Sequence, residues 1–145
     1  ADSRGLPLTP VAVLEGHVVA SNIIKGNKRK VSYPPMPSVV FSLPTLATVG
    51  LLEDDAKEKG YDINVNFEKV DNWFNARRLN VDEYAYKTII DKNNNTILGA
   101  HLIGPHCEET INLFAMAIKT KMTISDLRTM VFSYPTMASD LTYML

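Results

Sequence analysis

Tyr134 precedes Pro135 and Thr136, with Ser139 and Asp140 close behind it. A phenol held at such a loop–helix junction can donate a hydrogen bond near neutral pH. With an ordinary pKa of about 10 it shuttles protons far less readily than an imidazole near 6.5. From the residues alone two readings stay open: an active-site donor, or a tyrosine packed at a turn. His101, His106, Cys107, Glu108 and Glu109 bring imidazole, thiolate and carboxylate together in the chain, all of them metal ligands. Their spacing matches no closed zinc pattern. Glu108 and Glu109 are also what the first turn of a helix favours, so no metal is expected. Trp73 and Phe74 before Arg77 and Arg78 could stack bases beside cations. No wider basic groove accompanies them, and aromatics packed inward along a strand or loop edge explain the pair better.

Absences exclude whole classes of chemistry. The residues contain no G-x-G-x-x-G, no phosphate loop, no G-x-S-x-G and no H-E-x-x-H. Cys107 is the lone cysteine, so no pair exists for thiol–disulfide exchange. A formal net charge of −1, with acids and bases interspersed, argues against nucleic acid or an anionic membrane surface as partner. At 46% apolar residues the chain can bury a core. No apolar run reaches the roughly 18 residues of a membrane span, and the start lacks a signal-peptide pattern. One unpaired cysteine suits a reducing compartment, and a cytoplasmic location is expected. The missing initiator Met, and an opening ADSRGLPLTP that runs straight into an apolar helix, suggest a piece of a longer chain.

Periodicity predicts the elements that must position these residues. Thr9-Pro10 reads as a hydroxyl N-cap followed by proline at the first helical position. The helix it opens reaches Ile24 and stops at Gly26-Asn27. Val11, Val13, Leu14, Val18, Val19, Ile23 and Ile24 cover most of its circumference, which places it inside a larger protein. The basic stretch 25–30 and the prolines of 34–37 read as a connection, with a domain boundary near Val31. Beyond it, 38–43 is a short strand and 52–59 a polar helix ended by Gly60. Ile63, Val65 and Phe67 alternate with polar neighbours as in a half-buried strand. Residues 84–91 and 96–103 form a hairpin around DKNNN. Residues 108–121 form the best amphipathic helix, with Ile111, Phe114, Ala115, Ile118 and Met122 on one face. Short helices over 125–129 and 136–144 close the chain. The sum is α+β: an antiparallel sheet with helices packed on one side.

In this order the segments resemble one family, the glutathione-reductase-like pyridine nucleotide-disulfide oxidoreductases. LPLTPVAVLEGHVVASNII is similar to the last helix of their flavin domain. PSVVFSLPTLATVGLLEDDAKEKG is similar to the strand, T-V-G-L turn and helix that open their dimerisation domain. TIIDKNNNTILGAHLIGPHCEETINLFAMAIKTKMTISDL is similar to the hairpin and long helix that follow. FSYPTMASDL falls where the family's closing H-P-T segment lies.

The resemblance implies that residues 1–30 are a remnant of an FAD-binding domain and 31–145 a dimerisation domain. In the parent, hydride would pass from NADPH or NADH through FAD to a cysteine pair and then to substrate. The nucleotide fingerprints and the cysteine pair would lie upstream of Ala1, so this piece alone would bind no cofactor and be inactive. Thr9, Pro10, Val11 and Ala12 are carried over as flavin contacts, because the positive end of their helix would favour negative charge on reduced flavin. The implied partner is a second copy in a C₂ homodimer, with an interface on the order of 2,000 Å² or more. Its expected contacts are the helix 108–121, the closing segment 132–145 and the sheet face opposite the flavin domain. In the family a His precedes the closing Pro, and a Glu five residues beyond the His orients it for proton transfer. Here Tyr134 stands in the His place and Ser139 in the Glu place, so glutathione is not the expected substrate. Mercuric reductases of the same family use a Tyr in this region but carry a C-terminal cysteine pair missing here. Mercury by the usual route is therefore not expected either. The rival reading is a free-standing α+β binding module without a redox role.

Overall fold

The structure, a computed structural model, describes residues 7–145; the first six residues of the expected 1–30 segment lie outside them. The chain divides into two compact units, one reaching Pro34 and the other spanning Pro35–Leu145.

The first unit is built on helix α1, Thr9–Lys25. Its N-cap is Leu8, in extended backbone and without a side-chain hydrogen bond, so Thr9 is the first helical residue rather than the cap. Pro10 allows this shift, because a missing N–H costs nothing anywhere in a first turn. Gly26, at φ 78°, ends the helix as expected. The connection then folds back along α1. Asn22 donates to the Arg29 carbonyl and accepts from its N–H, both at 2.9 Å, and Tyr33 donates to Glu15 at 2.7 Å. Val11 and Val18 are buried, whereas Val13, Val19, Ile23 and Ile24 are exposed.

The second unit is a five-stranded antiparallel sheet in the order β1-β2-β5-β4-β3. Its strands are β1 (Ser38–Val40), β2 (Leu46–Gly50), β3 (Ile63–Lys69), β4 (Ala85–Asp91) and β5 (Thr96–Ile103). Helices α2 (Glu53–Glu58), α3 (Phe74–Leu79), α4 (Cys107–Thr120) and α5 (Ile124–Arg128) interleave with the strands or follow them, and a 3₁₀ helix, Met137–Tyr143, closes the chain. The expected strand over 38–43 is cut to three residues, because Ser42 donates to the Pro44 carbonyl and turns the chain back. The returning strand is β2, so most of the supposed T-V-G-L turn is strand. The turn itself comes at Gly50, whose φ of 81° and contact with the Leu98 carbonyl leave no room for a Cβ.

Ala47 and Val49 of β2 pair with Leu102 and Ala100 of β5, which pair in turn with Tyr86 and Thr88 of β4. This face carries the core. Cys107, Ile111, Phe114 and Ala117 of α4 are buried in the same cluster, joined by Leu141 and Met144 of the closing segment. Thr88 donates to the Met144 carbonyl at 2.6 Å, which fastens the chain end to the sheet. Burying a side chain such as Phe114 contributes about 1.5–3 kcal/mol.

Alternate residues point the other way. There Leu51 and α2 lie over part of the second face: His101 bonds the Leu51 carbonyl and Lys87 pairs with Glu53 at 2.8 Å. Phe67 pairs with Lys87 in this row and is 70% exposed, although its alternation with Ile63 and Val65 predicted an inward position. Alternation fixes a face but not whether anything covers it.

Candidate functional site

The closing segment gathers the polar chemistry of the second unit. Thr136 caps the 3₁₀ helix in a capping box with Ser139: Ser139 N–H donates to Thr136 Oγ1 at 3.3 Å, and Thr136 N–H to Ser139 Oγ at 3.5 Å. Ser139 Oγ also donates to the Thr136 carbonyl at 2.6 Å. Its side chain therefore braces the turn, and among the described residues no hydrogen bond joins it to Tyr134. Tyr134 projects from the start of this turn, 70% exposed, with its ring stacked on Phe74 at 5.7 Å between centroids. Phe74 opens α3, where a strand or loop edge was expected; Trp73 packs partly inward and Phe74 outward.

Two residues hold this turn in place: Asn75, which the sequence did not single out, and Asp140, noted there only as a neighbour of Ser139. Asn75, fully buried, donates through Nδ2 to the Thr136 carbonyl and to Asp140 Oδ1, each at 2.9 Å. Asp140, also buried, accepts a second bond at Oδ2 from Tyr84 at 3.1 Å. Burial pushes the Asp140 carboxyl above its ordinary range, while the bonds from Asn75 and Tyr84 pull it back. Burial, followed by the charge of Asp140, pushes the Tyr84 phenol up. The partners lie 61 and 65 residues apart in the chain, so no local spacing could have announced them.

The histidine and cysteine cluster is dispersed by the fold. His101 sits on the second sheet face with Nδ1 at 2.6 Å from Thr48 Oγ1 and Nε2 against Leu51; burial lowers its pKa. His106 is the left-handed N-cap residue of α4, and Cys107 is buried behind it. Burial pushes the Cys107 thiol up to about 12, with Glu108 adding to the effect, so it is a poor nucleophile. Among the described residues no three His, Cys, Asp or Glu side chains are placed to hold a metal ion.

Thr9, Pro10, Val11 and Ala12 form the first turn of α1, which has neither a side-chain cap nor an acidic residue. Such an end suits one contact with an anionic ring. It does not make a dinucleotide fold.

An antiparallel sheet backed by one long helix, with a buttressed C-terminal turn, defines a class, and comparison with known proteins gives it a family. Residues 36–145 match the family model described as the pyridine nucleotide-disulphide oxidoreductase dimerisation domain. The chain belongs to this family, and this region is its dimerisation domain. One relative, an uncharacterized 19.7 kDa protein in a mercuric resistance operon of Staphylococcus aureus, is 47% identical over 145 residues, covering all of this chain and 81% of that protein. The mercuric reductase of Lysinibacillus sphaericus is 34% identical over 131 residues, covering 90% of this chain but 24% of the enzyme. Among solved structures, the HOCl-induced flavoprotein disulfide reductase RclA from Escherichia coli superposes with a TM-score of 0.86 at 29% identity, covering 97% of this chain and 32% of that one. The chain thus spans a quarter to a third of these reductases.

Proposed function

We propose that this chain pairs with a second copy in a twofold dimer and that, in an intact enzyme carrying this region, Tyr134 reaches across the dimer to the partner subunit's active site. The enzyme would be an FAD-dependent oxidoreductase that takes hydride from NADPH or NADH. The observation that carries the reading is the closing turn: an exposed phenol on a rigidly braced loop, in the place where the family sets a proton donor. Val131 and Tyr143, close to it in the chain, are also exposed, and exposed apolar side chains are of the kind that self-association covers. Thr9, Pro10, Val11 and Ala12 would contact the flavin, whose chemistry is hydride acceptance and transfer. Ser139, read from family position as an orienting residue, acts on this reading through the turn rather than on the phenol. Residues 1–30 would belong to the flavin domain and 31–145 to the dimerisation domain. A cytoplasmic location fits the buried, unpaired Cys107.

Sedimentation at tens of micromolar tests the dimer: twice the chain mass is expected, and a monomer would remove the reading. In an enzyme carrying this region, Tyr134→Phe should lower turnover about 10-fold or more, within the usual range for an acid–base group. Unchanged turnover with every accepted substrate would end the donor role.

The substrate reading follows from the same residue. A phenol in place of an imidazole disfavours glutathione, whose reduction needs a readily exchanged proton. The relatives named for mercuric reduction and mercuric resistance support mercuric ion as a second reading. NAD(P)H oxidation measured with mercuric ion, oxidised glutathione and small oxidants in parallel would show which of these the enzyme reduces.

A further inference from the structure

We infer that Asn75 is a positioning residue for Tyr134: its buried carboxamide sets where the turn carrying the phenol can sit. This rests on the reading of Tyr134 as a donor to the partner's site. Three observations carry it. The Nδ2 group has two hydrogens, and both are committed within the fold, one to the Thr136 carbonyl and one to Asp140 Oδ1, at 2.9 Å each. Asn75 is fully buried, so a carboxamide N–H cut off from its acceptor has no water to turn to and bears its desolvation cost. The Thr136 carbonyl keeps the Ser139 N–H at 3.0 Å and Ser139 Oγ at 2.6 Å, both from its own turn, so Asn75 is its tie to α3. Finally, Asn75 directly follows Phe74, the ring on which Tyr134 stacks at 5.7 Å. One short stretch of α3 therefore grips both the backbone and the side chain of the turn. Tyr84 holds the far oxygen of Asp140 at 3.1 Å and keeps that carboxylate facing Asn75.

The arrangement separates bracing from positioning. The bond to Asp140 ties α3 to the closing 3₁₀ helix. The bond to the Thr136 carbonyl fixes the residue two places from Tyr134. A pair of substitutions distinguishes them. In Asp140→Asn the Asn75 carboxamide still has an N–H for Thr136. In the double variant Asn75→Asp with Asp140→Asn, the pair is reversed: residue 140 donates and residue 75 accepts. The link between helices is restored, but position 75 has no hydrogen left for the Thr136 carbonyl. Asn75→Asp alone sets two carboxylates against each other in a buried site and should be the least stable of the three.

The measurements, on the whole chain, are the thermal midpoint and the nuclear Overhauser contact between the Tyr134 and Phe74 rings. The double variant should recover most of the midpoint lost in Asn75→Asp yet lose the ring contact. Asp140→Asn should keep the contact. A double variant that retains the Tyr134–Phe74 contact overturns the inference, as does an Asp140→Asn protein that loses it. Neither readout involves turnover, so the Tyr134→Phe kinetic test can fail while this one succeeds, and the reverse.

Discussion

Helices α1 and α4 are both rich in aliphatic residues, and they reach different ends. In α4 the apolar residues recur on one face, and that face is buried: Cys107, Ile111, Phe114 and Ala117 all lie in the core. In α1 the apolar residues surround the axis, and Val13, Val19, Ile23 and Ile24 stay exposed. A stripe needs one surface to cover it, and the sheet supplies one. A helix apolar on all sides needs a neighbour on every side. The contrast teaches that amphipathic segments report the fold of their own domain, whereas uniformly apolar ones report what they were shaped to meet.

The sharpest test of the comparison falls on α4. Phe114 has no solvent exposure. Phe114→Ala should cost about 3–5 kcal/mol, the usual effect of emptying a large core site. Denaturant unfolding would read it as a shift in midpoint with little change in slope. A cost below about 1 kcal/mol would mean that the sheet face is not a packed core.

The buried carboxyl behind the closing turn comes next. Asp140→Ala leaves the Asn75 and Tyr84 donors without their acceptor and should cost about 1–3 kcal/mol. The pH dependence has a definite sign. Burial raises the Asp140 pKa in the folded state, so the folded protein holds this proton more tightly than the unfolded chain does. That contribution is fully present below the unfolded value and is lost as pH rises through the folded one. Glu53 acts oppositely: hydrogen bonds from Lys57 and Lys87 hold its pKa at about 2, so its contribution is lost as pH falls toward that value. Subtracting the Asp140→Ala unfolding curve from the wild-type curve removes the Glu53 effect. The remaining gap should narrow as pH rises from about 4 through the mildly acidic range. A gap that widens there would reverse the assignment.

These two sites also mark how far the sequence could be read. The α4 core was legible because Ile111 and Phe114 repeat at helical spacing and the acids of its first turn fix where it starts. The hairpin of β4 and β5 was legible from DKNNN between two β-rich runs. Strand β2 was hidden, since Thr48, Val49 and Gly50 make a turn-like string whose strand pairing is set by β1 and β5. Helix α3 was hidden because it is short, and its aromatic pair splits, Trp73 inward and Phe74 outward. Tyr134 was singled out as a candidate from its place before Pro135 and from family resemblance. Asn75 was not, and Asp140 was noted only as a neighbour of Ser139, because their bonds join residues that only the tertiary fold brings together. Local chemistry shows in a sequence; long-range polar pairing does not.

The smallest expected change returns to α1 and completes the contrast. Ile23 and Ile24 are 79% and 80% exposed. Replacing both with serine removes apolar surface that no packing interaction holds, so the stability of the second unit should move by less than about 0.5 kcal/mol. Association is a different quantity. Exposed aliphatic surface favours contact with whatever apolar surface it meets, and removing it should weaken concentration-dependent self-association. Light scattering across a concentration series, set beside denaturant unfolding of the same variant, measures both. Loss of stability comparable to that of Phe114→Ala would show that α1 is held as firmly as α4, and the difference between the two helices would then lie in their sequences alone.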